Sequence, residues 1–297
     1  MSYTAWIILT ASLVGLSCGL VGVFLILRRM AMMADAISHT VLLGIVTAYL
    51  VTRELHGIHM LIGAVIAGLV TALLVQWFHQ LGVQQDASIG VVFTTLFAIG
   101  VILISTSVGN VHLDVQHALM GEITFVPWNR IDLPLLGEIP EAAFLLMIVL
   151  LIVLISILAF YKGWKITSFD PALAVSLGIP AAAMHYLFMG LVSVTAVASF
   201  DAVGAILVVA MLVTPAASAY LWTDRLIVML ALSGGFGVAS AVIGYVIAVW
   251  LDTSISASMA FATGILFVIS FLFSPLHGLA SKYMRGKSSR ALPKNSV

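Results

Sequence analysis

Asp35 and His39 are the residues of this chain whose types and spacing promise chemistry. They stand four apart in Asp35-Ala36-Ile37-Ser38-His39, inside an otherwise apolar run. Four residues is about one helical turn, so carboxylate and imidazole project from one face. An oxygen and a nitrogen donor converging from one side make half of a metal site. Carboxylate with imidazole suits Mn²⁺, Zn²⁺ or Fe²⁺, whereas a thiolate set would select softer ions. The same pair could relay protons, or form a buried hydrogen bond that tightens helix packing. Two donors do not fill a coordination sphere. His117 and Glu122, in a polar connection, and Asp201, at the start of a later apolar run, are candidates for the rest. Water or a facing subunit could also contribute.

The elements that must hold this pair are membrane spans. The sequence is 62% hydrophobic and 8% charged, against roughly 25% charged in soluble domains. Nine apolar runs cover residues 4–27, 31–51, 60–78, 88–106, 142–161, 181–200, 202–222, 226–250 and 257–273. Each is near the ~20 residues a helix needs to cross ~30 Å of hydrocarbon. None alternates as a barrel strand would, so the fold class is an all-α integral membrane protein. The first run is longer than a secretory signal's and lacks a basic lead, so it also reads as a span. A single polytopic transmembrane domain is expected over residues 1–281, with a basic tail over 282–297.

Lysines and arginines orient the spans. With the N-terminus outside, Arg28, Arg29, Lys162, Lys165, Arg225, Lys282, Arg285, Lys287, Arg290 and Lys294 face the cytoplasm. Only Arg53 and Arg130 then lie outside, and the C-terminus is cytoplasmic. The turn at Arg28-Arg29 places His39 roughly 13 Å past Met30, near mid-bilayer, and Asp35 roughly 7 Å in. An ionisable side chain at that depth costs at least ~2.5 kcal/mol to insert, so it faces protein or water and marks an ion path by default. The acids Glu54, Asp114, Glu122, Asp132, Glu138, Glu141, Asp201 and Asp252 fall on the outer side in this layout. There they would concentrate cations or simply solvate loops. The long outer connection, 107–141, has room for a short surface helix over 114–123.

A second stretch sits on the cytoplasmic side, in Ser168-Phe169-Asp170-Pro171. Asp170 suits a helix N-cap, Pro171 the first helical position, and Gly178 the helix end. The helix between them is about two turns, too short to span. It is either a docking element for a partner protein or an interfacial linker. Further on, Thr214-Pro215 is expected to kink or unwind the seventh span. His56 and His59 lie in a short outer loop, while His79, His185 and His277 read as interfacial or packing residues. Cys18, the lone cysteine, lies inside an apolar run and excludes a disulfide or a cysteine zinc motif. Gly286-Lys287-Ser288 is a fragment of a phosphate loop, but Ser281 stands where glycine is required and no strand precedes it. Energy for any uphill step must come from a partner or a gradient.

These stretches together resemble the permeases of ATP-binding-cassette importers for manganese, zinc and iron. The resemblance rests on Arg28-Arg29 followed by Asp35-Ala36-Ile37-Ser38-His39 and Gly44. It rests also on Ser168-Phe169-Asp170-Pro171 with Ala174 and Gly178, and on Val203-Gly204 leading to Val213 and Pro215. Leu119-Met120-Gly121-Glu122 is a weaker match. Thr40 and Leu43 depart from the alanine and proline frequent at those positions. The resemblance implies two permeases, identical or related, around one pore in the bacterial plasma membrane. It implies two cytoplasmic ATP-binding subunits, coupled through Ser168, Phe169, Asp170 and Pro171. It further implies an extracellular metal-binding lipoprotein that delivers the ion, and a metal path lined by Asp35 and His39. No tightly bound cofactor is expected; the divalent metal is cargo. Manganese is the first expectation on ligand hardness, with zinc and iron next. The alternative is a gradient-driven metal/proton transporter.

Overall fold

The computed structural model describes residues 2–53, 58–107, 123–133, 137–276 and 278–279. Among them, nine helices are long and apolar enough to cross a membrane. They are α1 (Tyr3–Leu27), α2 (Met32–Thr52), α3 (Ile58–Gln80), α4 (Gln85–Ser107), α5 (Glu141–Phe169), α7 (Ala181–Val203), α8 (Ala205–Trp222), α9 (Leu226–Leu251) and α10 (Ile255–Phe273). A short helix, α6 (Pro171–Ser176), lies between α5 and α7. The long helices carry their backbone hydrogen bonds internally, as hydrocarbon requires. Arg28, Arg29, Lys162, Lys165 and Arg225 gather at one end of the bundle, and Arg53 and Arg130 at the other.

Helix α1 is the central post. Ile7, Val14, Cys18, Val21 and Phe24 are fully buried, and the helix packs on α5, α7, α8 and α9. Lipid tails are as apolar as leucine, so helices here associate through close packing rather than water exclusion. Small residues make that possible. A Cβ on Gly15 would lie 2.7 Å from the backbone of Gly237 on α9, so the two helices cross in backbone contact. A second such crossing matters more for the site. A Cβ on Gly44 of α2 would lie 2.6 Å from Ala64 Cα on α3.

Three expectations are corrected. The fifth span does not stop near residue 161. The helix runs on through Lys162, Lys165 and Ile166 to Phe169, because Gly163 alone is a weak breaker. It ends where Asp170 takes an extended conformation, φ −147° and ψ 91°, the conformation that the following proline favours. Asp201 does not begin the seventh span but sits in the last turn of α7, and the break falls at Gly204, with φ 81° and ψ 166°. Glycine alone adopts that backbone freely. Finally, α8 is helical through Pro215, which is buried within it, so of the kink or unwinding expected there the unwinding does not occur.

The surface helix expected over 114–123 falls largely outside the described residues. Nearer α5, the chain forms a 3₁₀ turn (Ile123–Trp128) and an antiparallel hairpin of β1 (Arg130–Leu133) and β2 (Gly137–Pro140). Arg130 Nη1 meets Glu138 Oε2 at 3.0 Å across the strands. The Tyr3 hydroxyl donates to the Thr124 carbonyl, tying this cap to the start of α1.

Candidate functional site

The site begins in the turn between α1 and α2. The Met30 N–H donates to the Leu25 carbonyl at 2.9 Å, and Arg29 takes a left-handed φ of 58°. This reverses the chain in four residues. Helix α2 opens at Met32 with Asp35 in its first turn, where a carboxylate complements the positive end of the helix dipole. Asp35 therefore stands about 4–5 Å along α2 and His39 about 10 Å along it. Both are shallower than a helix starting at Met30 would place them.

The two side chains converge. His39 Nε2 lies 3.5 Å from Asp35 Oδ1, and each side chain is 35% accessible. Their neighbours Ala36, Ile37, Ser38, Thr40 and Val41 are buried against adjoining helices. Asp35 and His39 thus occupy the one open stripe of this part of α2. Packing sets the rotation that presents it, and hydroxyl contacts lie along the same seam. Thr71 of α3 donates to Thr40 Oγ1 at 2.9 Å, within a fully buried contact. Ser38 Oγ turns back to the Asp35 carbonyl at 2.7 Å. Backbone contact at Gly44 and Gly63 holds the far half of α2 against α3.

Two residues of the site escaped the sequence reading. Phe93 and Phe97, one turn apart on α4, flank the imidazole. Phe93 lies parallel to it at 5.7 Å between ring centroids, and Phe97 stands edge-on at 5.5 Å. These rings immobilise His39, and their negative faces favour a cation nearby. The signal was an aromatic pair at helical spacing, which in a membrane span reads equally well as lipid-facing bulk.

The other expected ligands do not join. Among the described residues no cluster of three or more His, Cys, Asp or Glu side chains forms. Asp201 sits at the end of α7, apart from the pair. His117, Glu122, His56 and His277 lie outside the described residues, and His59 is exposed in the first turn of α3.

At the basic end, Asp170 caps α6 as expected, with Oδ1 accepting from the Leu173 N–H at 2.9 Å. Gly178 takes φ 78° just past the helix. Phe169, Leu173, Val175 and Leu177 are all exposed around this helix, while Ala174 is buried. A cavity of ≈ 980 Å³ opens beside it, lined by Arg28, Arg29, His79, Gln85, Ser168 and His185 among others.

The chain is similar to known proteins along nearly its whole length. Residues 1–274 match the model of the ABC 3 transport family. The chain is 58% identical, over 96% of its length and 97% of the relative's, to the manganese transport system membrane protein MntD of Bacillus subtilis. It is 41% identical to the zinc transport system membrane protein TroD of Treponema pallidum, over 94% and 76% of the two chains. Its fold is similar to the solved structure of PsaBC from Streptococcus pneumoniae in complex with Fab. That match has a TM-score of 0.78, 33% identity, and coverage of 97% and 96%. Nine apolar helices among the described residues and a match along nearly the whole chain lead to one assignment: the protein belongs to the ABC 3 transport family, and is a multi-pass bacterial membrane permease rather than an enzyme.

Proposed function

We propose that this permease carries a divalent transition metal into the cell, manganese first and zinc or ferrous iron next. The observation that carries the reading is the Asp35–His39 pair, 3.5 Å apart on the open stripe of α2. Two ligands bound ~2.1 Å from one ion stand about 3–3.4 Å apart, so a small closure lets both bind one cation. The pair is too exposed to be left against acyl chains, where a charge is costly. A second permease, identical or related, covers this stripe and completes the passage. Water or the facing subunit supplies the remaining ligands. Two ligands from the chain hold an ion loosely enough to release it, as conduction demands.

The end that gathers Arg28, Arg29, Lys162, Lys165 and Arg225 faces the cytoplasm, and the N-terminus lies outside, by the positive-inside rule. Cytoplasmic ATP-binding subunits dock on Ser168, Phe169, Asp170 and Pro171 and on α6. Its exposed apolar side chains and rigid cap suit a groove on a partner. An extracellular metal-binding lipoprotein delivers the ion to the opposite end, where the hairpin and the 3₁₀ turn sit. Hard oxygen and nitrogen donors without thiolate favour manganese, in keeping with the function named for MntD.

The test is metal accumulation in liposomes holding the permease and its ATP-binding subunits, with delivery protein and Mn²⁺ outside. Accumulation that needs ATP and survives collapse of the proton gradient is expected. Accumulation that ignores ATP and stops with the gradient would overturn the reading in favour of a secondary transporter.

A further inference from the structure

Arg28 is a half-buried cation at the described basic end, and the transport scheme above gives it no role beyond its charge. It caps α1, four residues before α2 begins. Its side chain lines the cavity beside α6, yet its guanidinium is held by protein groups. Nε donates to Ser168 Oγ at 3.0 Å and Nη2 donates to Thr167 Oγ1 at 3.1 Å. Its plane lies over the Phe188 ring, 4.5 Å from the centroid. Phe188 in turn closes a triangle with Phe24 and Trp164, at centroid separations of 5.6, 5.8 and 5.9 Å. Arg28 thus joins α1, α5 and α7 in one contact set, at the residue pair immediately before Phe169 and Asp170.

Two features make this more than packing. First, the partners are neutral. Among the described residues no carboxylate pairs with Arg28; two hydroxyls and a ring face hold it. Burial pushes its guanidinium down to about 10, which still leaves it charged at neutral pH. A cation held by hydroxyls can release and rebind, where a buried carboxylate pair would resist breaking. Second, the connection to the metal pair is short. From Arg28 the chain passes through Arg29, with its left-handed backbone, and the buried Met30 directly into the turn bearing Asp35. A pull on the end of α5 therefore reaches Asp35 through seven residues of tightly bonded chain, with no flexible loop between.

We infer that Arg28 is a positioning residue for energy coupling, linking the end of α5, beside the segment that meets the ATP-binding subunits, to the base of the helix that carries Asp35 and His39. The inference rests on the importer reading above. A five-donor fork suits this task better than a lysine, whose point charge cannot bridge two hydroxyls and stack on a ring together.

The test uses the full complex in liposomes with Mn²⁺, reading both accumulation and ATP hydrolysis, and takes their ratio. Arg28→Met and Arg28→Lys remove the fork, and the double change Thr167→Val with Ser168→Ala removes its acceptors while leaving the arginine. Arg28→Met and the double change are each expected to lower Mn²⁺ moved per ATP at least tenfold, with Arg28→Lys between them and the parent. Combining Arg28→Met with the double change should add nothing further. A ratio kept in all three variants, or a fall in transport and hydrolysis in equal proportion, would overturn the inference and leave Arg28 a packing residue. Should Arg28→Met fail to assemble, Thr167→Val alone decides, because Thr167 accepts from Arg28 and lies outside the docking segment: a coupling ratio like the parent's would overturn the inference. Absence of ATP-driven Mn²⁺ accumulation by the parent complex would instead remove the importer reading on which all of this stands.

Discussion

Gly44→Ala isolates the contact that holds α2 in place. The added methyl would lie 2.6 Å from Ala64 Cα and 2.7 Å from the Gly63 carbonyl carbon. Both are backbone atoms, so no side chain can rotate aside. Restoring ordinary carbon contact at 3.5–4.0 Å requires α2 and α3 to part by about 1 Å. A gap of that size forfeits roughly a quarter to a half of the dispersion attraction along the seam. Overpacking of this kind costs about 1–3 kcal/mol, offset by about 0.5–1 kcal/mol from replacing a helical glycine. A net loss of up to about 2.5 kcal/mol is expected. Gly90→Ala and Gly264→Ala are the controls, because a Cβ at either position meets nothing within 4 Å. They should be neutral or slightly stabilising. The assay is thermal unfolding in detergent alongside ATP-driven Mn²⁺ uptake. Gly44→Ala should melt below the parent and transport less, because Thr40 and the open stripe move with α2, away from Thr71 on α3. A Gly44→Ala protein that melts and transports like the two controls would refute the claim that this crossing sets the stripe.

Asp35→Ala and His39→Ala should each abolish Mn²⁺ accumulation while membrane insertion and hydrodynamic size stay unchanged; normal accumulation in both would remove the pair from the metal path. Asp170→Ala removes the α6 cap at a cost of about 1 kcal/mol and should weaken co-purification with the ATP-binding subunits. Asp170→Arg should lower it further, and unchanged association would argue that docking lies elsewhere. Thr40→Val with Thr71→Val should be nearly neutral in thermal stability, because both hydroxyls leave together. A large loss there would mean the hydroxyl contact, rather than backbone packing, sets the rotation of α2.

The sequence by itself determined the class and pointed to the candidate site. Apolar runs near 20 residues dictate helices, since a backbone in lipid must bond within its own segment. Asp35 and His39 were legible for the same reason: an ionisable pair four apart in such a run must be sheltered and lie on one face. The cap at Asp170-Pro171 was legible because capping depends on neighbours in the chain. Tertiary structure decided the rest. Where α5 ends and where α7 yields to α8 depended on Asp170 and Gly204 backbone angles, which hydropathy does not register. Phe93 and Phe97 came to His39 from another helix, and Arg28 reached Thr167 and Ser168 across 139 and 140 residues of sequence. In a uniformly apolar chain every face of a helix reads alike. Which face meets a neighbour is settled by small residues such as Gly44 and Gly63, whose shape-fit exists only once two helices are brought together.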